Sequence, residues 1–389
     1  MIRTPGPQGG SMTSEGITRL VLFTLAVGVP QAACTSRESE RPQAATWTLT
    51  PLATIGGDEA GAASFSDIRG VAVDGQDRVY ILEAQEQEVR LFDANGALVR
   101  RIGRNGDGPG EFRGANGVAV DRYDRLWVYD PRARRVSVFD SAGGLAATHA
   151  LTIQSYGYVW DGGVDAEGRI YDRQGVRIDT LWTPFIRRTD LERMTADTLA
   201  LPACEAATIP AYTFRSERSS GVIGVPFAPS QYVRYDPGGR AWCADTRTVA
   251  IAEYRLGDSV PHRTLAAAAD PAPVTPAERD SAIAEVRKFG AGIGPGDPDF
   301  ALIPSTKPIL QAIDPDDEGR LWVRATTREG ARLFVFDSAG KHIATAPFVP
   351  GVSPWLPLTV RRGRVYAVTA DSLDVPVVRT FSVSTAGGR

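Results

Sequence analysis

The side chains that most often carry catalysis or bind metals are scarce in this chain of 389 residues. Only three histidines occur, His149, His262 and His342, and they are widely separated in the sequence. Neither a Gly-x-Ser-x-Gly nucleophile motif nor a P-loop motif for phosphate binding is present. The sequence therefore predicts no histidine metal centre and no nucleophile of the familiar hydrolase type.

Two other segments contain residue types that can bind ions. Asp314–Gly319 is rich in carboxylates, but it lacks the ligand spacing of a calcium loop. Asn105–Gly110 is rich in glycine, and its backbone amides could hold an anion. The first segment occupies the same repeated turn as Asp74–Asp77 and Asp121–Asp124, and the second is a connector between repeats. Turn chemistry explains both compositions, so we interpret both segments as structural.

A sequence repeat defines the secondary-structure elements that would position any site. An arginine, a small or aliphatic residue, and then Tyr or Trp recur about every 45 residues, which is typical of a propeller or solenoid. The six copies are Arg78-Val79-Tyr80, Arg125-Leu126-Trp127, Arg169-Ile170-Tyr171, Arg240-Ala241-Trp242, Arg320-Leu321-Trp322 and Arg364-Val365-Tyr366.

One repeat contains four short β-rich runs separated by polar turns. In the first repeat these are strand a (68–74), strand b (78–83), strand c (89–93) and strand d (98–103). Four antiparallel strands with polar turns make one propeller blade. We therefore predict an all-β, six-bladed β-propeller, whose three histidines all fall on outer strands d.

Several repeated sequence motifs resemble those of a known family. Gly-Asp-Gly-Pro-Gly-Glu-Phe112, Gly117-Val-Ala-Val-Asp121 and Val136-Ser-Val-Phe-Asp140 are similar to NHL repeats of six-bladed β-propellers, a group akin to WD40-like and TolB-like propellers. The resemblance covers residues 55–145 and 308–345. It implies a platform that binds protein, RNA or a small ligand, and it allows an enzyme, because some relatives are enzymes. Fold alone does not choose among these functions.

The enzymatic alternative is a metal-dependent lactonase, esterase or lyase, with a divalent cation such as calcium as its cofactor. Gluconolactonase-type propellers hold their ion with one Glu, one Asp and Asn side chains from different blades. This chain has only Asn95, Asn105 and Asn116, so the Asn ligands of later blades are missing. We therefore favour a non-catalytic binding module without a cofactor.

The N-terminal segment has the features of an export signal. Arg19 precedes the apolar run Leu20–Val29, which is too short to span a bilayer comfortably. Ala32-Ala33-Cys34 resembles the end of a bacterial lipobox, although Gln31 stands where that motif has an aliphatic residue. We predict a signal over 1–34 with lipidation of Cys34, or ordinary cleavage nearby, and a polar tether over 35–45. The protein would be periplasmic or at the cell surface, possessing no membrane contact beyond this anchor.

The ring is predicted to occupy residues 46–384, followed by a tail at 385–389. Ile55-Gly56 aligns with Ile102-Gly103 at the end of a strand d, so the strand before it should complete the last blade and close the ring. In an exported protein the two remaining cysteines, Cys204 and Cys243, are expected to form a disulfide; two buried free thiols are the alternative.

Two long connections interrupt the repeat, at 202–225 and 266–307. The second contains a predicted helix over 275–290, which begins with the capping box Thr275-Pro-Ala-Glu278 and ends at Gly290. Its apolar stripe, Ile283, Val286 and Phe289, needs a packing partner. The expected one is the mouth of the central channel, beside Lys307 and the 202–225 loop.

Both insertions join a strand d to the next strand a, so they lie on one face of the ring, where loops commonly carry function. We predict a ligand-binding surface on this d–a face. Its candidate residues are Arg69, Arg113, Asn116, Tyr156, Tyr158, Gln231, Lys307 and Trp355. A net charge of −3 gives no basic surface typical of nucleic-acid binding. The expected partner is therefore a protein or a small molecule, and the protein is expected to be a monomer.

Overall fold

In a computed structural model the chain forms the predicted β-propeller. The structure describes residues 44–151, 159–178, 181–202, 204, 210–349 and 351–385. The predicted signal, Cys34 and nearly all of the predicted tether lie outside these residues. No described helix has the length and apolar character needed to cross a membrane.

Four-stranded antiparallel blades follow one another along the chain, each running from an inner strand a to an outer strand d. The first strand of the chain is β1, Ala45–Gly56. Blade 1 comprises β2 to β5: Ile68–Val73, Val79–Glu83, Glu88–Phe92 and Leu98–Ile102. Blade 2 comprises β6 to β9: Gly117–Val120, Leu126–Asp130, Arg135–Phe139 and Leu145–Ala150. Blade 3 comprises β10 to β13: Gly163–Val164, Arg169–Ile178, Leu181–Asp190 and Thr195–Ala200.

The second half of the ring contains two insertions. A separate hairpin, β14 and β15, spans Ala211–Arg215 and Ser220–Gly224. Blade 4 comprises β16 to β19: Gln231–Tyr235, Arg240–Asp245, Val249–Arg255 and Arg263–Ala267. The helix α1 spans Pro276–Ile293. Blade 5 comprises β20 to β23: Leu310–Pro315, Leu321–Thr327, Gly330–Phe336 and His342–Pro347. Blade 6 comprises β24 to β26: Thr359–Arg361, Arg364–Ala370 and Pro376–Thr385.

The N-terminal strand closes the ring, as predicted. β1 pairs antiparallel with β26 from Trp47 to Gly56 and supplies the fourth strand of blade 6. Its first two residues also pair with β23, which joins blades 5 and 6 into one continuous sheet. The buried Trp47 lies against Trp322 of blade 5, with ring centroids 5.8 Å apart. Closure through the first strand leaves the last blade with no open edge.

The core lies between neighbouring blades because the inner strands are covered on both faces. All five residues of β3 and of β7 are buried, whereas most residues of the outer strands β5 and β9 are exposed. Consecutive apolar residues in strands b therefore serve two interfaces, one with each neighbouring blade.

The predicted disulfide is present. Cys204 and Cys243 are bonded, with their Cα atoms 6.0 Å apart and a separation of 39 positions in the chain. The bond ties the connection after blade 3 to the second strand of blade 4. In the chain-entropy model a closed loop of this length stabilises the fold by about 4 kcal/mol.

The two insertions pack on each other, so the helix lies beside the 202–225 connection as predicted, and its Glu278 pairs with Lys307. We call the hairpin β14–β15 together with residues 274–304 the accessory module. Its apolar core joins Tyr212, Phe214 and Val225 to the helical stripe, in which Val286 is fully buried. The prediction treated 202–225 as an irregular connection and so overlooked the strands that receive the helix.

The helix begins as predicted but ends later. The Thr275 hydroxyl accepts from the Glu278 amide and the Glu278 carboxylate accepts from the Thr275 amide, which completes the capping box. Gly290 was expected to end the helix, but α1 continues to Ile293. A Cβ atom at Gly290 would lie 2.3 Å from the Phe214 ring, so this glycine serves close packing with the hairpin instead.

Candidate functional site

The repeated arginines form ion pairs at the turns between strands a and b, and we call each such Asp–Arg pair a staple. In blades 1 to 5 the arginine pairs with an aspartate four residues earlier, at 2.6–2.8 Å. The pairs are Asp74–Arg78, Asp121–Arg125, Asp165–Arg169, Asp236–Arg240 and Asp316–Arg320. The same aspartates accept backbone amides of their own turns, so each closes a turn and holds an arginine at once.

The aromatic residue of the repeat completes the staple. Trp127 Nε1 donates to Asp121 at 2.9 Å, and Trp322 Nε1 donates to Asp316 at 2.8 Å. The guanidinium of Arg240 lies 4.9 Å from the centre of the Trp242 ring. Both ends of the Arg-x-aromatic signature therefore serve the blade itself, and we assign it no ligand.

A pocket of about 210 Å³ lies at the centre of the ring, and all six blades contribute to its wall. The lining residues are Arg69, Gly70 and Val71; Gly117 and Val118; Val159, Trp160 and Gly162; Arg234; Pro315; and Leu356 to Val360. Most of them begin a strand a or directly precede one. The pocket therefore lies toward the d–a end of the channel, and we call it the axial pocket.

Close packing in the early blades narrows this channel. Trp160 stacks on Tyr129, with ring centroids 4.9 Å apart, and its Nε1 donates to the Tyr171 carbonyl. A Cβ atom at Gly117 would lie 2.4 Å from Trp160, so only glycine allows this approach. Blade 2 therefore contributes Gly117 and Val118 to the pocket, the segment before blade 3 contributes Trp160, and the charged lining groups come from blades 1 and 4.

Two arginines, Arg69 and Arg234, line the axial pocket, and two further arginines pair with Asp161 and Asp314, which are next to lining residues in the chain. Arg69 pairs with Asp67 at 2.7 Å, Arg173 with Asp161 at 2.8 Å, and Arg324 with Asp314 at 2.9 Å. The remaining arginine is Arg234 in β16, whose Nη1 donates to the Asp161 carbonyl at 2.9 Å. The described part of the chain places no carboxylate oxygen within 4.0 Å of Arg234.

Burial and neighbouring charges shift the pKa values of these groups in opposite directions. Burial lowers the pKa of Arg234, but the nearby Tyr232, Asp161 and Asp314 outweigh it, so the net pKa lies above its ordinary value. Burial raises the pKa of Asp314 despite the guanidinium groups of Arg324 and Arg234. The guanidinium of Arg234 therefore stays charged in the channel, whereas the charge of Asp314 is disfavoured.

Two of the residues predicted for the binding surface lie at or beside the axial pocket. Arg69 lines it. Trp355 is 73% exposed and directly precedes Leu356, which also lines the pocket. Tyr156 and Tyr158 lie outside the described residues.

The other predicted residues are not brought to this pocket. Arg113 pairs with Asp107 at 2.5 Å, and its backbone amide donates to Asp130. Asn116 is buried, and its carbonyl accepts from the Trp160 amide. Gln231 begins β16 without lining the pocket, and Lys307 pairs with Glu278 of the accessory module. Among the described candidates, Arg69 is the one that lines the axial pocket, and Trp355 is next to a lining residue in the chain.

Sequence reasoning missed Arg234 and Asp314, although the repeat contained a signal for both. Each lies opposite the signature aromatic of its blade, Arg234 across from Trp242 and Asp314 across from Trp322. The equivalent positions are Ala72, Ala119 and Gly163 in blades 1 to 3. Blade 6 has Thr359 at this position, so the charged residues of blades 4 and 5 depart from a repeat that otherwise has small residues there.

The histidines lie away from the axis, near or on outer strands. His149 stacks on Trp127, and His342 lies beside the rings of Phe334 and Phe336. Burial lowers the pKa of His342. Within the described ranges, no group of three or more His, Cys, Asp or Glu side chains is arranged to hold a metal ion.

Comparison with known proteins agrees with the architecture. Residues 63–197, which include blades 1 and 2 and most of blade 3, match the DUF5128 family model, described as a 6-bladed beta-propeller. This match does not confirm the more specific NHL name. No curated protein sequence is significantly similar to the chain.

Solved structures with similar folds include proteins with several different names. A Bacteroides fragilis protein assumed to be exported is 12% identical, with 87% of this chain and 95% of that chain covered and a TM-score of 0.49. A gluconolactonase from Xanthomonas campestris is 15% identical over 85% and 98%, with a TM-score of 0.41. A virginiamycin B lyase from Staphylococcus aureus is 10% identical over 81% and 94%, with a TM-score of 0.40. Because these TM-scores are below 0.5, the similarities assign no activity to this chain.

Proposed function

We propose that this chain is a non-catalytic binding module whose ligand enters from the d–a face and occupies the axial pocket. The observation that carries the proposal is that all six blades contribute to one pocket on the ring axis. Concave sites with a few fixed polar groups are the usual places for small ligands. With a predicted signal at 1–34, the module would act outside the cytoplasm, either tethered through Cys34 or free.

The polar groups around the pocket favour binding over proton transfer. Asp161 and Asp314 each lie against an arginine, at 2.8 and 2.9 Å. A carboxylate held in an ion pair is a poor general base, and a guanidinium does not release its proton near neutral pH. These groups can orient a ligand without performing chemistry on it.

The test is to fill the pocket and measure ligand binding. Ligand-observed NMR with a library of small polar and mixed-polarity fragments should identify binders to the full chain. Val118→Trp should abolish binding of those fragments, because Val118 lines the pocket. Val99→Trp is the matched control, since Val99 is 57% exposed on the outer strand β5.

If Val118→Trp fails to fold, Val71→Trp fills the same pocket from blade 1. The proposal is wrong if no fragment binds the wild-type chain. It is equally wrong if the bound fragments are unaffected in a pocket-filling variant that folds.

A further inference from the structure

The two charged residues that line the axial pocket, Arg69 and Arg234, are both cationic. Arg69 has Asp67 at 2.7 Å, whereas Arg234 has no carboxylate oxygen within 4.0 Å among the described residues. Arg234 is therefore the lining charge that lacks a close counter-ion. Burial raises the pKa of nearby Asp314, which weakens the negative charge in the surroundings of Arg234.

The position of Arg234 is not required by the blade. Its equivalents in blades 1 to 3 are Ala72, Ala119 and Gly163, so a blade folds with a small residue there. Moving a guanidinium out of water is costly unless a partner compensates for the lost hydration. The repeated arginines at the a–b turns each have such a partner, whereas Arg234 has only a backbone carbonyl and more distant carboxylates.

The guanidinium of Arg234 also keeps hydrogen-bonding capacity. Nη1 donates to the Asp161 carbonyl, while Nε is buried and has no hydrogen-bond partner in the described part of the chain. A guanidinium offers donors in a planar fork, which matches the two oxygens of a carboxylate. Arg234 therefore combines a positive charge that has no close carboxylate partner with the donor geometry that suits an organic acid.

The walls of the pocket restrict the rest of the ligand. The exposed wall of the pocket is more polar than apolar, and Val71, Val118 and Trp160 are among the residues that contribute its smaller apolar part. A volume of about 210 Å³ corresponds to roughly seven water molecules, so the ligand must be small. Trp355, which directly precedes the lining residue Leu356, is 73% exposed.

We propose that the axial pocket binds a small monocarboxylate, and that Arg234 holds its carboxylate. This inference rests on the proposed function and gives it a ligand class. Arg69 stands in the same wall but is already paired with Asp67, so its contribution is secondary.

The test compares a charged probe with its neutral analogue. Benzoate should bind the wild-type full chain saturably, with a Kd of about millimolar order for a ligand of this size. Benzamide, which has the same shape without the charge, should bind at least tenfold more weakly. Acetate and inorganic phosphate complete the set, because they separate the carboxylate group from the apolar body and from anions in general. Ligand-observed NMR titration measures all four.

Variants of Arg234 test whether this residue binds the carboxylate of benzoate. Arg234→Met should weaken benzoate binding at least tenfold and reduce the preference over benzamide. Arg247→Met is the matched control, because Arg247 belongs to the same blade, is largely exposed, and does not line the pocket. If Arg234→Met does not fold, Arg234→Lys keeps the charge but loses the fork, and it should weaken benzoate binding by a smaller factor.

The outcomes separate this inference from the function on which it rests. Equal binding of benzoate and benzamide would overturn the carboxylate inference and leave a neutral-ligand pocket standing. Binding of phosphate without either carboxylate would overturn it in favour of an inorganic oxyanion. Absence of binding by both carboxylates would also overturn it, while the fragment screen with Val118→Trp judges the proposed function independently.

Discussion

The a–b turns and the central channel both concentrate arginine and aspartate, and they use them differently. At the turns the same pair recurs in five blades, and each aspartate also binds backbone amides of its own turn. In the channel the charges differ from blade to blade, and Arg234 lacks a close carboxylate among the described residues. Repetition marks residues that the blade needs, whereas departure from the repeat marks residues that the blade can do without. A ligand site is best sought among the second group.

Blade 6 is the exception among the turns, because it lacks the aspartate that pairs with the repeated arginine. The residue four positions before Arg364 is Val360, and Arg364 lies 4.0 Å from Asp77 of blade 1 instead. Neighbouring Arg361 and Arg362 donate to the carbonyls of Val73 and Gly75, also in blade 1. The closing blade therefore replaces an internal staple with contacts to the blade that follows it around the ring.

The largest effect is expected from removing a turn aspartate. Asp316 accepts from Arg320 Nε at 2.6 Å and from Trp322 Nε1 at 2.8 Å, and its side chain is fully buried. Asp316→Ala should lower the free energy of unfolding by about 3–5 kcal/mol, because it leaves Trp322 without its acceptor and Arg320 with only the exposed Glu318. Urea denaturation followed by tryptophan fluorescence measures the change.

The matched control uses an exposed pair. Asp245 and Arg247 lie 2.6 Å apart, with side chains 29% and 65% exposed. Asp245→Ala should cost less than about 1 kcal/mol. Similar losses in the two variants would contradict the view that the turn pairs are the structural ones.

An intermediate effect is expected from the accessory module. Its ends lie close together: the Val225 amide donates to the Pro210 carbonyl, and Pro273 pairs with Thr306. Replacing 274–304 with a short Gly/Ser linker should leave the blades folded but expose Tyr212 and Phe214, which would increase binding of a hydrophobic dye. Replacing 211–224 as well should reverse that increase, because it removes the uncovered hairpin.

Circular dichroism and thermal melting of both variants report whether the ring persists. Loss of the ring in the double replacement would show that the module belongs to the propeller core. A single replacement that exposes no apolar surface would show that the helix and hairpin do not depend on each other.

The smallest effect concerns the link between the module and the ring. Lys307 and the capping-box threonine hold the pKa of Glu278 at about 2, below its ordinary value near 4.3. A lowered folded-state pKa stabilises at pH values above the ordinary one and is lost as pH falls toward about 2. Amides at the start of α1 should therefore exchange faster at pH 3 than at pH 6, after correction for intrinsic rates.

Hydrogen exchange of residues 275–280 measures this difference. Glu278→Gln should remove most of the pH dependence, whereas Glu285→Gln, at an exposed position of the same helix, should retain it. An unchanged pH profile in Glu278→Gln would contradict the role of the Lys307–Glu278 pair.

Much of the architecture follows from local sequence, because repeat spacing and turn chemistry act over a few residues. The Arg-x-aromatic repeat predicts the blades, the alignment of Ile55-Gly56 with Ile102-Gly103 predicts ring closure, and the Thr275–Glu278 capping box predicts the start of α1. The hairpin β14–β15 was overlooked even though Tyr212 and Phe214 alternate with polar residues, as in a half-buried strand. Gly290 was misread because its role depends on Phe214, which lies 76 residues earlier in the chain (290 − 214).

The sequence by itself determined the blade, its number of copies and the staples that hold its turns. Only the tertiary structure decided which side chains meet on the axis. Arg234, Asp161 and Asp314 come from three different blades, and their proximity depends on closure of the whole ring. No local pattern encodes that proximity, because the channel is formed by inner strands that pair only within their own blades. The electrostatics of the pocket are therefore a property of the ring and not of any single repeat.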